Sequence, residues 1–152
     1  MGSLEGWRCW RSKRRSVIRE TDFLIRWGGE EFLLVARATH AGEGAVLAER
    51  LRGVIAEQAF DIGDGKALAV TCSVGFASFP FYAGEPRLAN WSEVTRLADQ
   101  ALYVAKEGGR NRWAGVEAVG APRDRAHFEQ ICRDPRTAEA EGDVTLLRSP
   151  AD

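Results

Sequence analysis

Residues 26 to 32 read Arg26-Trp27-Gly28-Gly29-Glu30-Glu31-Phe32, and they lie between two apolar runs, Phe23-Leu24-Ile25 and Phe32-Leu33-Leu34-Val35. Paired glycines tolerate positive φ, so this pattern predicts two strands joined by a tight two-residue hairpin over Gly28-Gly29. In that register Trp27 faces Glu30 and Arg26 faces Glu31 across the strands. The turn sets two adjacent carboxylates at its exit, on strands apolar on both faces, and oxygen ligands on a stiff tip suit a hard divalent cation. The plainer alternative is a cross-strand pair between Glu31 and Arg26, worth a few tenths to about 1 kcal/mol.

Outward from the hairpin, Leu47, Ala48, Leu51, Val54 and Ile55 recur at helical spacing within 45–59. Gly63-Asp64-Gly65 reads as a turn. Leu68, Val70, Cys72, Val74 and Phe76 then alternate with the small residues Ala69, Thr71, Ser73 and Gly75. That is a strand, with room for a closely packed helix on its small face. After a loop from Pro80 to Pro86 a second helix is predicted. Asn90 or Ser92 caps it, Glu93 completes a capping box with Asn90, and Val94, Leu97, Ala98, Ala101, Leu102 and Ala105 form its stripe. Gly108-Gly109 stops the helix, and residues 112–118 predict a further strand.

The stretch Ala98-Asp99-Gln100-Ala101-Leu102-Tyr103-Val104-Ala105-Lys106-Glu107-Gly108-Gly109-Arg110-Asn111 carries a second signature. Together with the Gly-Gly-Glu-Glu-Phe hairpin, and with Val70 to Gly75 between them, it resembles the GGDEF family of diguanylate cyclase domains in its Glu-for-Asp variant. The resemblance spans about residues 16 to 117. It implies an α/β fold of α+β, palm-like form: a central, mostly antiparallel sheet with helices packed on it.

The resemblance also implies an activity, the condensation of two GTP molecules into cyclic di-GMP and pyrophosphate with Mg2+ or Mn2+, in bacterial second-messenger signalling. By resemblance Glu30 and Glu31 are the catalytic and metal-holding acids, and Lys106 and Arg110 bind the substrate's terminal phosphates. The alternative for that pair is simple complementation of the helix dipole, worth about 0.3–1 kcal/mol. Asp99 and Asn111 match the signature as supporting residues. Arg19 and Asp22 match the family's Arg-x-x-Asp product-inhibition site, the alternative being a local ion pair. A homodimer is implied for catalysis, one GTP on each half.

Some of the family's pattern has no counterpart. The Asp-x-Asp-x-Phe-Lys-x-x-Asn-Asp and Gly-His-x-x-Gly-Asp segments that precede the hairpin elsewhere are missing, and with them the family's N-terminal strand and helix. The expectation is a truncated or mispredicted gene product, or else a degenerate domain, in either case with little turnover by this chain alone. A second function follows from that: a catalytically dead module that binds cyclic di-GMP through Arg19 and Asp22.

The remaining sequence sets bounds. The 152 residues have room for one domain, and 45% hydrophobic with 28% charged residues suits a soluble globular chain. A formal net charge of -1 favours no nucleic-acid partner. No apolar run predicts a membrane span, and three cysteines without paired spacing predict no disulfide framework, so a reducing cytoplasm is expected. Residues 1–15 read as an atypical basic arm, 16–117 as the partial domain, and 118–152, rich in charge, Pro, Gly and Ala, as a flexible tail.

Overall fold

The computed structural model describes residues 17–40, 42–57, 59–61 and 64–150. The basic arm at 1–15 lies outside them. The elements run β1 (Phe23–Gly28), β2 (Glu31–Val35), α1 (Glu43–Ala56), β3 (Ala59–Asp61), β4 (Ala67–Ala69), β5 (Val74–Ala77), α2 (Trp91–Glu107), β6 (Trp113–Ala118), α3 (Arg125–Arg133), α4 (Pro135–Glu141) and β7 (Val144–Arg148). The class is α+β, as the family resemblance implied. The described strands fall into three sheets, β1-β2, β3-β4 and β5-β6-β7.

The strand predicted over 68–76 is divided between two of these sheets. β4 pairs antiparallel with β3 as far as Ala69, while β5 pairs parallel with β6 from Val74. Residues 70–73 belong to neither ladder. Alternation reports which face a side chain takes, not which strand lies alongside, so the change of partner is invisible in it.

α2 is the crossover between the parallel strands β5 and β6. Its start is as the sequence specified: Asn90 accepts from the Glu93 amide at 3.1 Å, and Glu93 returns a carboxylate to the Asn90 amide at 2.8 Å. Gly75 is where α2 meets β5. A Cβ there would sit 2.2 Å from both the Ala98 carbonyl oxygen and the Leu102 amide nitrogen, so only glycine lets the helix backbone come this close. On the opposite face Phe76 lies between Gly44 of α1 and Gly115 of β6, where added Cβ atoms would come within 2.7 Å and 2.3 Å of its ring. The β5-β6 layer is thus held between two helices through three glycines.

The main core lies on the α2 side. Val94, Leu97, Ala101, Val104 and Ala105 pack with Ala114 and Val116 of β6 and with Phe128, Ile131, Cys132, Ala138, Val144 and Leu146. The last six all come from the segment expected to be a flexible tail. Residues 125–148 instead form two helices and a strand, with β7 running antiparallel along β6 from Ala118↔Val144 to Ala114↔Arg148. Each element is locally specified. Asp124 caps α3 through the His127 amide, and Asp134 caps α4 with Pro135 in its first turn. Gly142 ends α4 in the left-handed conformation at φ 80. Phe128, Ile131 and Cys132 then bury one stripe of α3 while its charged residues remain in solvent. Arginines of this segment also pair at both ends of α2, Arg125 with Glu93 and Arg136 with Glu107.

Candidate functional site

The hairpin forms, with a register one residue different from that expected. Gly28 pairs with Glu31 and Arg26 with Phe32, leaving Trp27 as an extra, unpaired residue on β1. The two-residue loop is therefore Gly29-Glu30, and of the two glycines only Gly29 takes positive φ, at 54°. A bulge beside a turn re-aims the side chains that follow it. Trp27 points outward at 64% exposure. Arg26 sends both Nε–H and Nη2–H onto the Gly29 carbonyl, at 3.0 and 2.8 Å. The guanidinium thus ties off the loop and does not pair with Glu31.

Glu31 has a more distant partner. Its Oε1 lies 3.3 Å from the Nζ of Lys106, 75 residues away on the last turn of α2. Both side chains keep close to half their surface in solvent, so a ligand can reach them. Glu30 stands exposed on the loop, next to Glu31 in the chain. Two of the four residues expected to act on substrate are thus in contact.

Arg110 follows where α2 ends. Its amide donates to the Ala105 carbonyl at 3.3 Å. Gly109, Arg110 and Asn111 all have positive φ, at 121°, 62° and 47°. That conformation reverses the chain and sets the exposed Arg110 side chain beyond the helix end. Arg112 lies across the two glycines, where a Cβ on either would meet its side chain at 3.1 Å, and its Nε–H donates to the Arg110 carbonyl at 3.2 Å. Asp99 is exposed on α2.

Sequence reasoning missed a group of residues that supports this loop. Arg52 of α1 donates from Nη1 to Asn111 Oδ1 at 3.2 Å and forks onto Glu49, with Nε at 3.0 Å and Nη2 at 2.6 Å. Glu49 in turn accepts from the indole Nε1–H of Trp113 at 3.0 Å. The Arg52 hydrogen bonds hold the Glu49 carboxyl below the ordinary value, with the indole adding to the effect. In the sequence Glu49 and Arg52 are simply charges on the outer face of a helix, and only the fold brings the 111–113 segment to them.

Arg19 and Asp22 form a turn in place of the side-chain ion pair. Asp22 Oδ2 accepts the Arg19 amide at 2.9 Å, Asp22 Oδ1 accepts the Arg37 amide at 3.0 Å, and the Asp22 amide donates to the Arg19 carbonyl. The carboxylate therefore fastens the base of the hairpin, joining the residue before β1 to the chain just after β2. The Arg19 side chain stays exposed.

Glu30 and Glu31 offer oxygen donors suited to Mg2+, which is commonly held by one or two carboxylates together with substrate phosphates. They fit that role. Among the described residues a different group brings three ligand atoms together: His127, Glu141 and Asp143, all within 4.8 Å of one another. It does not fit a cation. His127 Nδ1 accepts the Arg123 amide at 3.1 Å, which places the ring proton on Nε2, and Nε2 meets Asp143 Oδ2 at 2.8 Å. The lone pair a metal would need is absent, and the buried ring joins the loop before α3 to the turn before β7.

The hairpin and the end of α2 both fall within a stretch that is similar to known proteins. Residues 12–112 match the family model described as diguanylate cyclase, GGDEF domain. Diguanylate cyclase DgcP of Pseudomonas aeruginosa is 43% identical over 99 residues, which is 64% of this chain and 14% of that protein. Diguanylate cyclase A of Treponema denticola is 37% identical over 98 residues, 64% of this chain and 25% of that protein. Diguanylate cyclase DosC of Escherichia coli is 34% identical over 95 residues, 62% and 19%. The chain thus spans a quarter or less of the length of these relatives. α3, α4 and β7 lie beyond the matched residues, and no helix among the described residues is long and apolar enough to cross a membrane.

Proposed function

We propose, for a chain that belongs to the GGDEF domain family of diguanylate cyclases, that the hairpin tip and the end of α2 form one GTP site serving the condensation of two GTP into cyclic di-GMP and pyrophosphate. The observation that carries this reading is the meeting of Glu31 and Lys106 across 75 residues. An exposed ion pair of this kind is worth only about 0–1 kcal/mol. Stability alone is therefore a weak reason for building it, whereas an acid and a base side by side in solvent suit a ligand carrying both a cation and phosphates.

Lys106 and Arg110 are donors for the terminal phosphates, Lys106 as a compact charge and Arg110 as a planar fork. One of the carboxylates, Glu30 or Glu31, accepts the proton of the attacking 3′-hydroxyl. Mg2+ or Mn2+, held by Glu30 and Glu31, would neutralise phosphate charge as the pyrophosphate leaves. Each site holds one GTP, so joining two requires a homodimer with its sites face to face. The reading places the protein in the cytoplasm, where GTP is found.

Turnover by this chain alone is expected to be low, because among the described residues no third carboxylate joins the hairpin acids. One observation favours a second role, the binding of cyclic di-GMP without catalysis: the Arg-x-x-Asp turn is formed and its guanidinium is exposed. The test of the first reading is an assay of cyclic di-GMP and pyrophosphate from GTP and Mg2+, run beside Glu30→Gln. Slow product formation that disappears in the variant is expected. Product formed equally by both proteins would remove Glu30 from the mechanism.

A further inference from the structure

The loop that presents Arg110 holds two successive non-glycine residues in the left-handed region, Arg110 at φ 62° and Asn111 at φ 47°. Asparagine tolerates this conformation because its short side chain can bond locally. Arginine gains nothing comparable and must be held there by its surroundings. Glycine before it and the α2 carbonyls begin the reversal, and Arg112 is tied to β5 where its carbonyl accepts the Val74 amide at 3.0 Å, which leaves the Asn111 side chain to be fixed from α1.

The geometry points to Glu49 and Arg52 as positioning residues for Arg110, gripping the segment on both sides of Arg112 so that the Arg110 guanidinium is presented toward phosphate. Arg52 takes Asn111 at its side-chain oxygen, Glu49 takes Trp113 at its indole N–H, and a two-bond fork joins the two grips. Both residues lie on α1, whose position is set independently by the contact of Gly44 with Phe76. The Trp113 ring is itself packed beside Phe76, with centroids 5.8 Å apart. The strand residue that anchors the loop and the helix that grips it therefore share one packing contact. The inference rests on the phosphate-binding reading of Arg110. It adds that α1, which carries none of the family signature, sets how well that residue works.

The test is calorimetric titration with inorganic triphosphate of the parent chain, Arg52→Ala, Arg110→Ala and the double variant. Alongside it, the amide-to-Hα NOE within Arg110, which is strong only in a left-handed residue, reports the loop directly. Arg52→Ala should weaken triphosphate binding by about tenfold in the parent and have no further effect once Arg110 is gone. The NOE should fade in Arg52→Ala. Trp113→Phe, which keeps the ring against Phe76 and loses the donor, should shift both readouts in the same direction if Arg52→Ala fails to fold. Unchanged affinity with the NOE retained would overturn the inference, and so would an equal loss with and without Arg110, which signals general loosening. If the parent binds no triphosphate, the phosphate reading falls, and the NOE alone decides whether the grip sets the loop.

Discussion

A Cβ added to Gly75 would lie 2.2 Å from the backbone nitrogen of Leu102, so β5 and α2 touch backbone to backbone at this point. Gly75→Ala must therefore push α2 off the sheet. Overpacking of this kind costs about 1–3 kcal/mol. Urea unfolding should show a lower midpoint with an unchanged slope. Because α2 carries Lys106, the variant that remains folded should also bind GTP less well. A midpoint equal to the parent's would mean that the helix does not sit this close.

Phe128 gives a direct test of the C-terminal segment. It is fully buried, ringed by Phe81 and Tyr82 at centroid distances of 6.5 and 5.7 Å. Removing such a ring typically costs about 3–5 kcal/mol. Phe128→Ala should accordingly destabilise the whole chain in a single cooperative transition. A change below about 0.5 kcal/mol is what a loose tail would give, and it would restore the tail expected from composition.

Acid should loosen the contact between α3 and the start of α2. Burial raises the Glu93 carboxyl, but the Arg125 hydrogen bond and the Asn90 amide outweigh it and leave the group below its ordinary 4.5. A carboxyl lowered by folding contributes stability above its unfolded value, and that contribution is lost as pH falls through the folded one. Stability should therefore decline below about pH 4.5, and Glu93→Gln, which can still cap the helix, should flatten the decline. Urea midpoints measured between pH 7 and pH 3 check this. An equal acid response in both proteins would assign the effect to other carboxylates.

The legible parts of this fold are those encoded by neighbours in sequence. The capping box at Asn90 and Glu93, the stripe of α2 and the existence of the hairpin all depend on residues within one turn or one strand pair of each other. The hairpin's register was not legible. Gly28 and Gly29 were equally good turn residues, and the choice fell to Arg26 closing on the Gly29 carbonyl. The C-terminal elements had readable signals in Asp124, Asp134-Pro135, Gly142 and the Val144/Leu146 alternation. A 35-residue composition average hid them, because short helices that bury a single stripe are otherwise made of polar, charged and small residues. Of the candidate site, the acids and cations were named from the signature, and the contact of Glu31 with Lys106 bears on their pairing. The Glu49–Arg52 grip was not readable, since nothing local ties α1 to Trp113.

Arg19 and Asp22 should behave differently when substituted, because one side chain is exposed to solvent and the other closes a turn. Arg19→Ala should leave unfolding unchanged and weaken cyclic di-GMP binding by about tenfold to a hundredfold, the effect of losing a charged hydrogen bond. Asp22→Ala should lower both stability and binding, since two backbone amides lose their acceptor. Calorimetry with cyclic di-GMP and thermal unfolding of the three proteins make the comparison. Equal affinity in the parent and Arg19→Ala would leave the motif as a turn only.

Glu31 and Lys106 in a substrate site would answer to ligand as a bare surface ion pair would not. Titration of GTP with Mg2+ into the parent, Glu31→Gln and Lys106→Met tests this most directly, with thermal unfolding as the control. Lys106→Met should weaken GTP by about tenfold or more, Glu31→Gln should remove the Mg2+ dependence of binding, and neither should move the unfolding midpoint appreciably. GTP affinity and its Mg2+ dependence unchanged in both variants would contradict the substrate-site reading.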